Sequence, residues 1–226
     1  MLIVFDVDGT LVGGERHDWA CFDQAIEAVL SFKPTPEFFA SLPEITAQAM
    51  AAEAVARVGR EKGKGLEENI RDEYLRRLRL VHLNDPLAFP ARNGVVGLLA
   101  RLSKLNGVGV AIATGDWRST SSFKLGAAGI DTSTMPMATS SDAPSRSEII
   151  QLAARRAKRP LSDVVYIGDG VWDLKACKAL GVPFIGTGAR LELLKNAGAE
   201  HMLEILEEAL FLSKVLSVTG FKLAPV

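Results

Sequence analysis

Residues 2–10 read LIVFDVDGT, and this segment decides the fold class more than any other part of the chain. The apolar residues 2–5 predict a buried strand of a parallel sheet, because such strands read as continuous hydrophobic runs. Side chains two residues apart on a strand point to the same side, so Asp6 and Asp8 leave the strand end together. Gly9 allows the chain to turn sharply behind them. Ligands of open α/β sheets bind outside the carboxyl ends of the strands, which is where this pair lies.

The two carboxylates have a chemical interpretation and a structural one. One carboxylate can attack as a nucleophile while its neighbour carries a proton. A solvated turn or an aspartate N-cap explains an isolated Asp-x-Asp pair about equally well. The whole string of residues 2–11, an apolar strand followed by DVDGTL, resembles the first motif of the haloacid dehalogenase-like hydrolases. The resemblance extends over nearly the whole chain, through further motifs at residues 114–116, 146 and 169–173.

Strand candidates alternate with helical patterns along much of the chain. Besides residues 2–5, the strand candidates are 108–114, 135–138, 163–168 and 182–185. Helical patterns cover 93–105, 117–128, 146–158, 171–180 and 190–198. The candidate at 135–138 is short and contains Pro136, which argues against a central strand. The alternation predicts an α/β fold, with a Rossmann-like parallel sheet and helices on both of its faces.

Residues 15–88 break this alternation, because they contain no convincing strand. Helices are predicted at 19–30, 44–58 and 66–80, and the residues that punctuate the segment are Pro34, Pro36, Pro43, Gly63 and Gly65. The segment is long for a connection inside a compact domain. We therefore predict a core domain of residues 1–14 and 89–226, with an inserted helical domain of residues 15–88. The resemblance implies a C1-type helical cap, hinged at Gly13-Gly14 and in the Pro86/Pro90 region.

A second acidic motif follows the strand predicted at 163–168. Asp169 lies at the strand end, and Asp173 falls in the first turn of the next helix. Asp173 alone is explained by the preference of acidic residues for a helix N-terminus. The string GDGVWD nevertheless resembles the fourth motif of the family. The resemblance implies a Mg²⁺ site of Asp6, Asp8, Asp169 and Asp173. Asp6, the main-chain carbonyl of Asp8 and Asp169 bind the ion in this expectation, and Asp173 orients metal-bound waters or Arg146.

Three further residues are candidates for binding phosphate. Thr114 ends the second strand and is followed by Gly115, whose exposed amide suits an anion; capping the next helix is the alternative role for the threonine. The family normally supplies a lysine at the start of the helix after the third strand. Arg146 stands there in this chain and can bind phosphate in a bidentate way. The alternative is a surface arginine that begins a helix, and Lys124 is a weaker substitute for the missing lysine.

The sequence allows two alternative roles for each of two further regions. The residues at the start of the insert either help to select the substrate or simply begin a helix; they are Arg16, His17, Asp18 and Trp19. Residues 201–217 have the pattern of an amphipathic helix. Packing on the core is the expected role of that helix, and a subunit interface is the alternative, so the protein is expected to be a monomer or a homodimer.

Composition limits the possible partners. The 226 residues include 26 Lys and Arg against 27 Asp and Glu, a formal net charge of −1, which indicates neither nucleic acid nor an anionic membrane as a partner. Apolar residues 1–5 are too short for a signal-peptide core, and no window is long and apolar enough to span a membrane. Cys21 and Cys177 both lie in helical patterns, where a disulfide framework is not expected. We therefore expect a cytoplasmic protein.

The resemblance implies a mechanism of phosphoryl transfer. In it, Asp6 attacks a phosphomonoester of a small metabolite and forms an aspartyl-phosphate, while Asp8 protonates the leaving alkoxide and then activates water. The presence of Asp8 favours phosphate esters over haloacids, because a halide leaving group needs no proton. A phosphosugar mutase would use the same residues. A non-catalytic binding or regulatory protein with this fold is a third hypothesis.

Overall fold

A computed structural model describes residues 1–58 and 64–222, in which five parallel strands form one sheet. In chain order the strands are β1 (Leu2–Phe5), β2 (Gly109–Ala113), β3 (Met137–Ala138), β4 (Val164–Gly168) and β5 (Phe184–Gly186). Their spatial order is β3-β2-β1-β4-β5, so β1 lies at the centre and is buried throughout. The α/β fold class predicted from the sequence is confirmed, including a β3 that has only two residues and lies at an edge.

Ten helices surround the sheet in the described part of the chain. They are α1 (Glu15–Leu30), α2 (Pro36–Ala40), α3 (Ala47–Val58), α4 (Leu66–Asn84), α5 (Val95–Leu102), α6 (Arg118–Ala127), α7 (Arg146–Arg156), α8 (Val171–Leu180), α9 (Leu191–Asn196) and α10 (Glu208–Thr219). Within residues 1–58 and 64–222, none of these helices has the length and apolar character needed to cross a bilayer.

Alternate residues of β1 divide the core into two hydrophobic clusters. Ile3 and Phe5 pack in a cluster that includes residues of α5, α6, α10 and the helices of the insert. Leu2 and Val4 pack in a second cluster with residues of α7, α8 and α9. Helices therefore cover both faces of the sheet, as the continuous apolar runs in its strands require.

The register of the sheet brings three strand ends to one level. Phe5, the last residue of β1, pairs with Ile112 on one side and with Ile167 on the other. The amide of Asp6 then donates to the carbonyl of Ile167 at 2.9 Å, which continues the ladder by one residue. Side chains that follow β1, β2 and β4 consequently meet at the same rim of the sheet.

Several predicted boundaries differ from the structure. β5 begins two residues later than predicted, and α1 begins at Glu15 rather than at residue 19. Helix α2 is not predicted by the periodicity; the Thr35 side chain caps it by accepting from the Phe38 amide at 3.3 Å, and proline occupies its first turn. Helix α4 extends four residues beyond the predicted end, to Asn84. The predicted turn residue Gly63 lies outside the described residues.

The predicted helix at 201–217 is wrong in its first part. The main chain of Gly186 instead bonds this segment on both sides, because its amide donates to the His201 carbonyl at 2.8 Å and its carbonyl accepts from the Leu203 amide at 2.8 Å. Residues 201–203 are therefore held along the end of β5. The helix begins only at Glu208, and its buried residues Phe211 and Val215 pack on the core.

The four helices α1–α4, which we call the helical insert, lie between β1 and β2 in the chain. The two segments that connect the insert to the core run side by side, since the Gly13 amide donates to the Pro90 carbonyl at 2.8 Å. Gly14 has a φ of 92°, and a Cβ there would lie 2.1 Å from the Ala88 carbonyl oxygen. Only glycine fits this crossing without strain. The division of the chain into a core domain and an inserted domain, with hinges in these two connecting segments, stays a prediction.

Candidate active site

The carboxyl ends of β1, β2 and β4 converge on a cavity between the sheet and the helical insert. Asp6 follows β1, Thr114 follows β2 and Asp169 follows β4, and each is no more than 3% exposed. The cavity measures about 70 Å³. The core side chains Asp8 and Arg146 line it, and so does Gly115; the insert contributes Glu15, Asp18, Trp19, Phe22, Ile45, Ala47, Met50 and Tyr74.

Arg146 is buried and joins two carboxylates. Its Nη1 lies 3.1 Å from Oδ1 of Asp6, and its Nε lies 3.2 Å from Oδ1 of Asp173. A capping box between Ser145 and Glu148 starts α7 at this arginine, which fixes where the side chain emerges. A Cβ on Gly115 would lie 2.5 Å from Nη2 of Arg146, so glycine leaves room for the guanidinium. The arginine is therefore not a surface residue that merely begins a helix.

Asp173 is fully buried and makes its contacts within the protein. It accepts from the Gly170 amide at 3.2 Å and from the Tyr166 hydroxyl at 3.2 Å, in addition to its ion pair with Arg146. Burial raises the pKa of Asp173, and the nearby guanidinium of Arg146 opposes that rise. The geometry therefore makes Asp173 a carboxylate that holds Arg146 in place beside Asp6.

Asp6, Asp169 and Asp173 form an acidic cluster whose carboxylate oxygens lie within 4.8 Å of one another. Burial, and then repulsion from Asp6, raise the pKa of Asp169 to about 7. The guanidinium of Arg190 approaches Asp169 no closer than 3.9 Å. Asp6 and Asp169 both line the cavity, and among the described residues Asp169 has no closer cation than Arg190; this pair of oxygen donors fits a hard divalent cation.

Thr114 occupies the wall of the cavity beside Arg146. Its hydroxyl oxygen accepts from the Asp116 amide at 3.2 Å. Helix α6 begins at Arg118 with Trp117 at its N-cap position, so Thr114 does not cap that helix. Within residues 1–58 and 64–222 this hydroxyl donates no hydrogen bond, so its proton can be donated to an anion in the cavity.

The Asp8 carboxylate does not belong to the cluster of Asp6, Asp169 and Asp173. Its Oδ1 lies 2.6 Å from Nζ of Lys124, in a second cluster that includes Asp18 and Asp116. Burial raises the pKa of Asp8, and repulsion from Asp18 and Asp116 adds to the rise, whereas Lys124 opposes it. A role for Asp8 in holding a metal ion would therefore fall to its main-chain carbonyl. Lys124 does not replace the family lysine beside Asp6, since it lies beside Asp8 instead.

The sequence singled out four residues at the start of the insert, and the structure divides them. Asp18 and Trp19 line the cavity, whereas Arg16 and His17 are exposed. All four belong to α1, as the helix-start interpretation requires, and a role in substrate selection stays a prediction. Sequence reasoning missed Tyr74, Asp116 and the location of Lys124. The sequence signal that could have located Lys124 is a lysine on the otherwise buried face of α6.

Comparison with known proteins decides the family. The family model described as haloacid dehalogenase-like hydrolase matches residues 1–181 of the chain. The protein belongs to the haloacid dehalogenase-like hydrolase family. This confirms the resemblance carried by the motifs and the prediction that the protein is an enzyme, a hydrolase. A comparison with curated protein sequences finds no match.

Solved structures share the fold at low sequence identity. A hydrolase from Pseudomonas syringae has a TM-score of 0.74 at 20% identity, over 96% of this chain and 99% of that one. A mutant of CbbY from Rhodobacter sphaeroides in complex with xylulose-(1,5)bisphosphate has a TM-score of 0.70 at 19% identity, over 90% and 93%. A β-phosphoglucomutase from Clostridium difficile has a TM-score of 0.73 at 15% identity, over 97% and 99%. At these identities the likeness establishes the fold.

We predict that Arg146→Met destabilises the protein by about 3–5 kcal/mol, because it leaves Asp173 buried without its cation. The free energy of unfolding in urea measures this loss. Arg155→Met is the matched control, since Arg155 is exposed on the same helix, and it should change the value by no more than about 0.5 kcal/mol. Equal effects of the two substitutions would contradict the assignment of Arg146 as a buried ion-pair partner.

Proposed function

We propose that the protein is a Mg²⁺-dependent phosphomonoesterase that forms an aspartyl-phosphate on Asp6. The observation that carries this proposal is the sharing of one cavity by Asp6, Arg146 and Asp169, with Asp8 at its wall. A buried carboxylate held by a guanidinium is a positioned nucleophile, and the neighbouring acid supplies a proton.

The proposed reaction has two steps. A carboxylate oxygen of Asp6 attacks phosphorus, the bond from phosphorus to the ester oxygen breaks, and Asp8 donates its proton to the departing alkoxide. Asp8 then takes a proton from a water molecule, which attacks the aspartyl-phosphate and releases inorganic phosphate and the free carboxylate of Asp6. The guanidinium of Arg146, the hydroxyl of Thr114 and the main-chain amide of Gly115 stabilise charge on the phosphoryl oxygens.

Asp6, Asp169 and the main-chain carbonyl of Asp8 would hold Mg²⁺. When bound, the ion supplies positive charge that offsets repulsion between the Asp6 carboxylate and the phosphate. Asp173 then acts through Arg146, because its carboxylate oxygens already engage Arg146, Tyr166 and the Gly170 amide.

In this proposal the helical insert is a cap of residues 15–88 on a core of residues 1–14 and 89–226. The cap lies on the core directly beside the cavity: the Ala47 amide donates to the Gly115 carbonyl at 2.7 Å, and the Thr46 hydroxyl donates to the Pro144 carbonyl at 2.8 Å. Sites for drug-sized ligands measure about 300–1,000 Å³. The cavity of about 70 Å³ lies below that range, and we propose a small phosphorylated metabolite as the substrate class.

Steady-state turnover of p-nitrophenyl phosphate tests the proposed function. We expect Mg²⁺-dependent release of phosphate, and a loss of at least about 10³-fold in kcat for Asp6→Asn, because the covalent route is removed. Asp72→Asn, which changes an exposed carboxylate on α4, should retain full activity. Equal trace activity in the wild type and Asp6→Asn would support a non-catalytic protein. Transfer of the phosphoryl group to a sugar phosphate, without phosphate release, would support a mutase.

We expect Mg²⁺ to stabilise the protein more as the pH rises from about 6 to about 8. Because the pKa of Asp169 is raised to about 7, the folded protein favours the protonated carboxyl below that pH, and the metal requires the ionised form. Without Mg²⁺, this raised pKa lowers stability as the pH rises from the ordinary aspartate range toward 7. The shift of the melting temperature on adding Mg²⁺ measures the effect.

Asp169→Asn should abolish this Mg²⁺ effect, whereas Asp72→Asn should leave it unchanged. A Mg²⁺ shift that is the same at both pH values, or that persists in Asp169→Asn, would contradict the assignment of Asp169 as a ligand.

A further inference from the structure

Lys124 is a fully buried lysine that the proposed reaction leaves without a role. Its side chain has no exposed surface, and the cost of removing an ammonium from water must be offset by close partners. Nζ lies 2.6 Å from Oδ1 of Asp8, 2.6 Å from Oδ1 of Asp18 and 2.9 Å from Oδ2 of Asp116. The Tyr74 hydroxyl lies 3.3 Å away, and it also contacts Asp18.

These four partners come from both the core and the helical insert. Asp8 follows β1 and Asp116 follows β2, so both belong to the core rim that carries the site. Asp18 lies on α1 and Tyr74 lies on α4, and these two helices pack against each other in the insert. One ammonium therefore links the predicted acid–base residue directly to two helices of the insert.

The contact also restricts the Asp8 carboxylate. Nζ of Lys124 lies 2.6 Å from Oδ1 of Asp8, so this oxygen is held in an ion pair with the buried ammonium. With Oδ1 held, Oδ2 is the oxygen left to exchange a proton in the cavity that Asp8 lines. If the insert moved off the core, Lys124 would lose Asp18 and Tyr74, and the three carboxylates would no longer be gathered around one cation.

The contact between Lys124 and its partners is an attraction between opposite charges. Carboxylate oxygens of Asp8, Asp18 and Asp116 all lie within 2.9 Å of Nζ, and this arrangement favours the charged form of the lysine. The ammonium therefore stays charged. Without it, the carboxylates of Asp8, Asp18 and Asp116 would repel one another across the contact between insert and core.

We propose that Lys124 is a positioning residue that couples the docked helical insert to the orientation of the Asp8 carboxylate. This inference rests on the proposed function, because it assigns Lys124 a role through Asp8. The docked insert brings Asp18 and Tyr74 to Lys124, which completes the arrangement that holds the acid–base side chain.

A double-mutant cycle with p-nitrophenyl phosphate and Mg²⁺ tests this role. A positioned general acid–base contributes about 10²–10⁴-fold, so Lys124→Met should lower kcat by about 10-fold or more with little change in KM. In an Asp8→Asn background, the same substitution should lower kcat by no more than about 2-fold. Equal losses in the two backgrounds would show a merely structural effect and overturn the proposal. Lys175→Met, on the exposed side of α8, is the matched control and should leave kcat unchanged.

Tyr74→Phe keeps the test decisive if Lys124→Met does not fold. This substitution retains the ring packed against Phe22 and Trp117 and removes only the hydroxyl from the cluster. We expect it to lower kcat by about 3-fold or more in the wild type, with the effect again lost in Asp8→Asn. An unchanged kcat, or an equal loss in both backgrounds, would overturn the proposal. An inactive wild type would instead overturn the proposed function itself, and this inference with it.

Discussion

Carboxylates buried at the ends of parallel strands need cations close by, and this constraint shapes the whole active site. Asp6, Asp169 and Asp173 form one cluster, and Asp8 and Asp116 of the core form a second cluster with Asp18 of the helical insert. In the first cluster the buried Arg146 pairs with Asp6 and Asp173, and in the second the buried Lys124 pairs with all three carboxylates. Removing either cation would leave carboxylates in a low-dielectric environment without compensation, which is strongly unfavourable.

The two cations divide the chemistry between them. Arg146, at the start of α7, pairs with the predicted nucleophile and with Asp173, so its guanidinium has a fixed place beside Asp6. Lys124, on α6, holds the predicted acid–base residue and reaches the helical insert. Asp169 is the acidic residue least compensated by the protein, and that imbalance is what makes a divalent cation a fitting component of the site.

The parts of this account that the sequence could predict are those set by local motifs at strand ends. The parallel sheet follows from apolar runs, and Asp6 and Asp169 follow directly from two of those runs. Arg146 could be singled out because it is the only cation at the position where the family has a lysine, at the start of the helix after the third strand. Helix α2 and the late start of α10 were not readable, since a side-chain cap and main-chain bonds to Gly186 decide them. The Lys124 cluster could not be predicted from the sequence either, because its residues are brought together only by the fold: Lys124 and Asp18 are 106 residues apart in the chain.

The central claim is that Asp6 becomes phosphorylated while Asp8 handles protons. The most direct measurement mixes the Mg²⁺-loaded protein with a phosphate ester that it hydrolyses, quenches the reaction with acid during turnover, and locates the phosphoryl group by mass spectrometry of the peptides. The account predicts a phosphoryl group on Asp6 that accumulates transiently and is absent in Asp6→Asn. Turnover with no phosphorylated peptide in quenches taken throughout the first turnover, or a phosphoryl group on Asp8 or on any other residue, would contradict it.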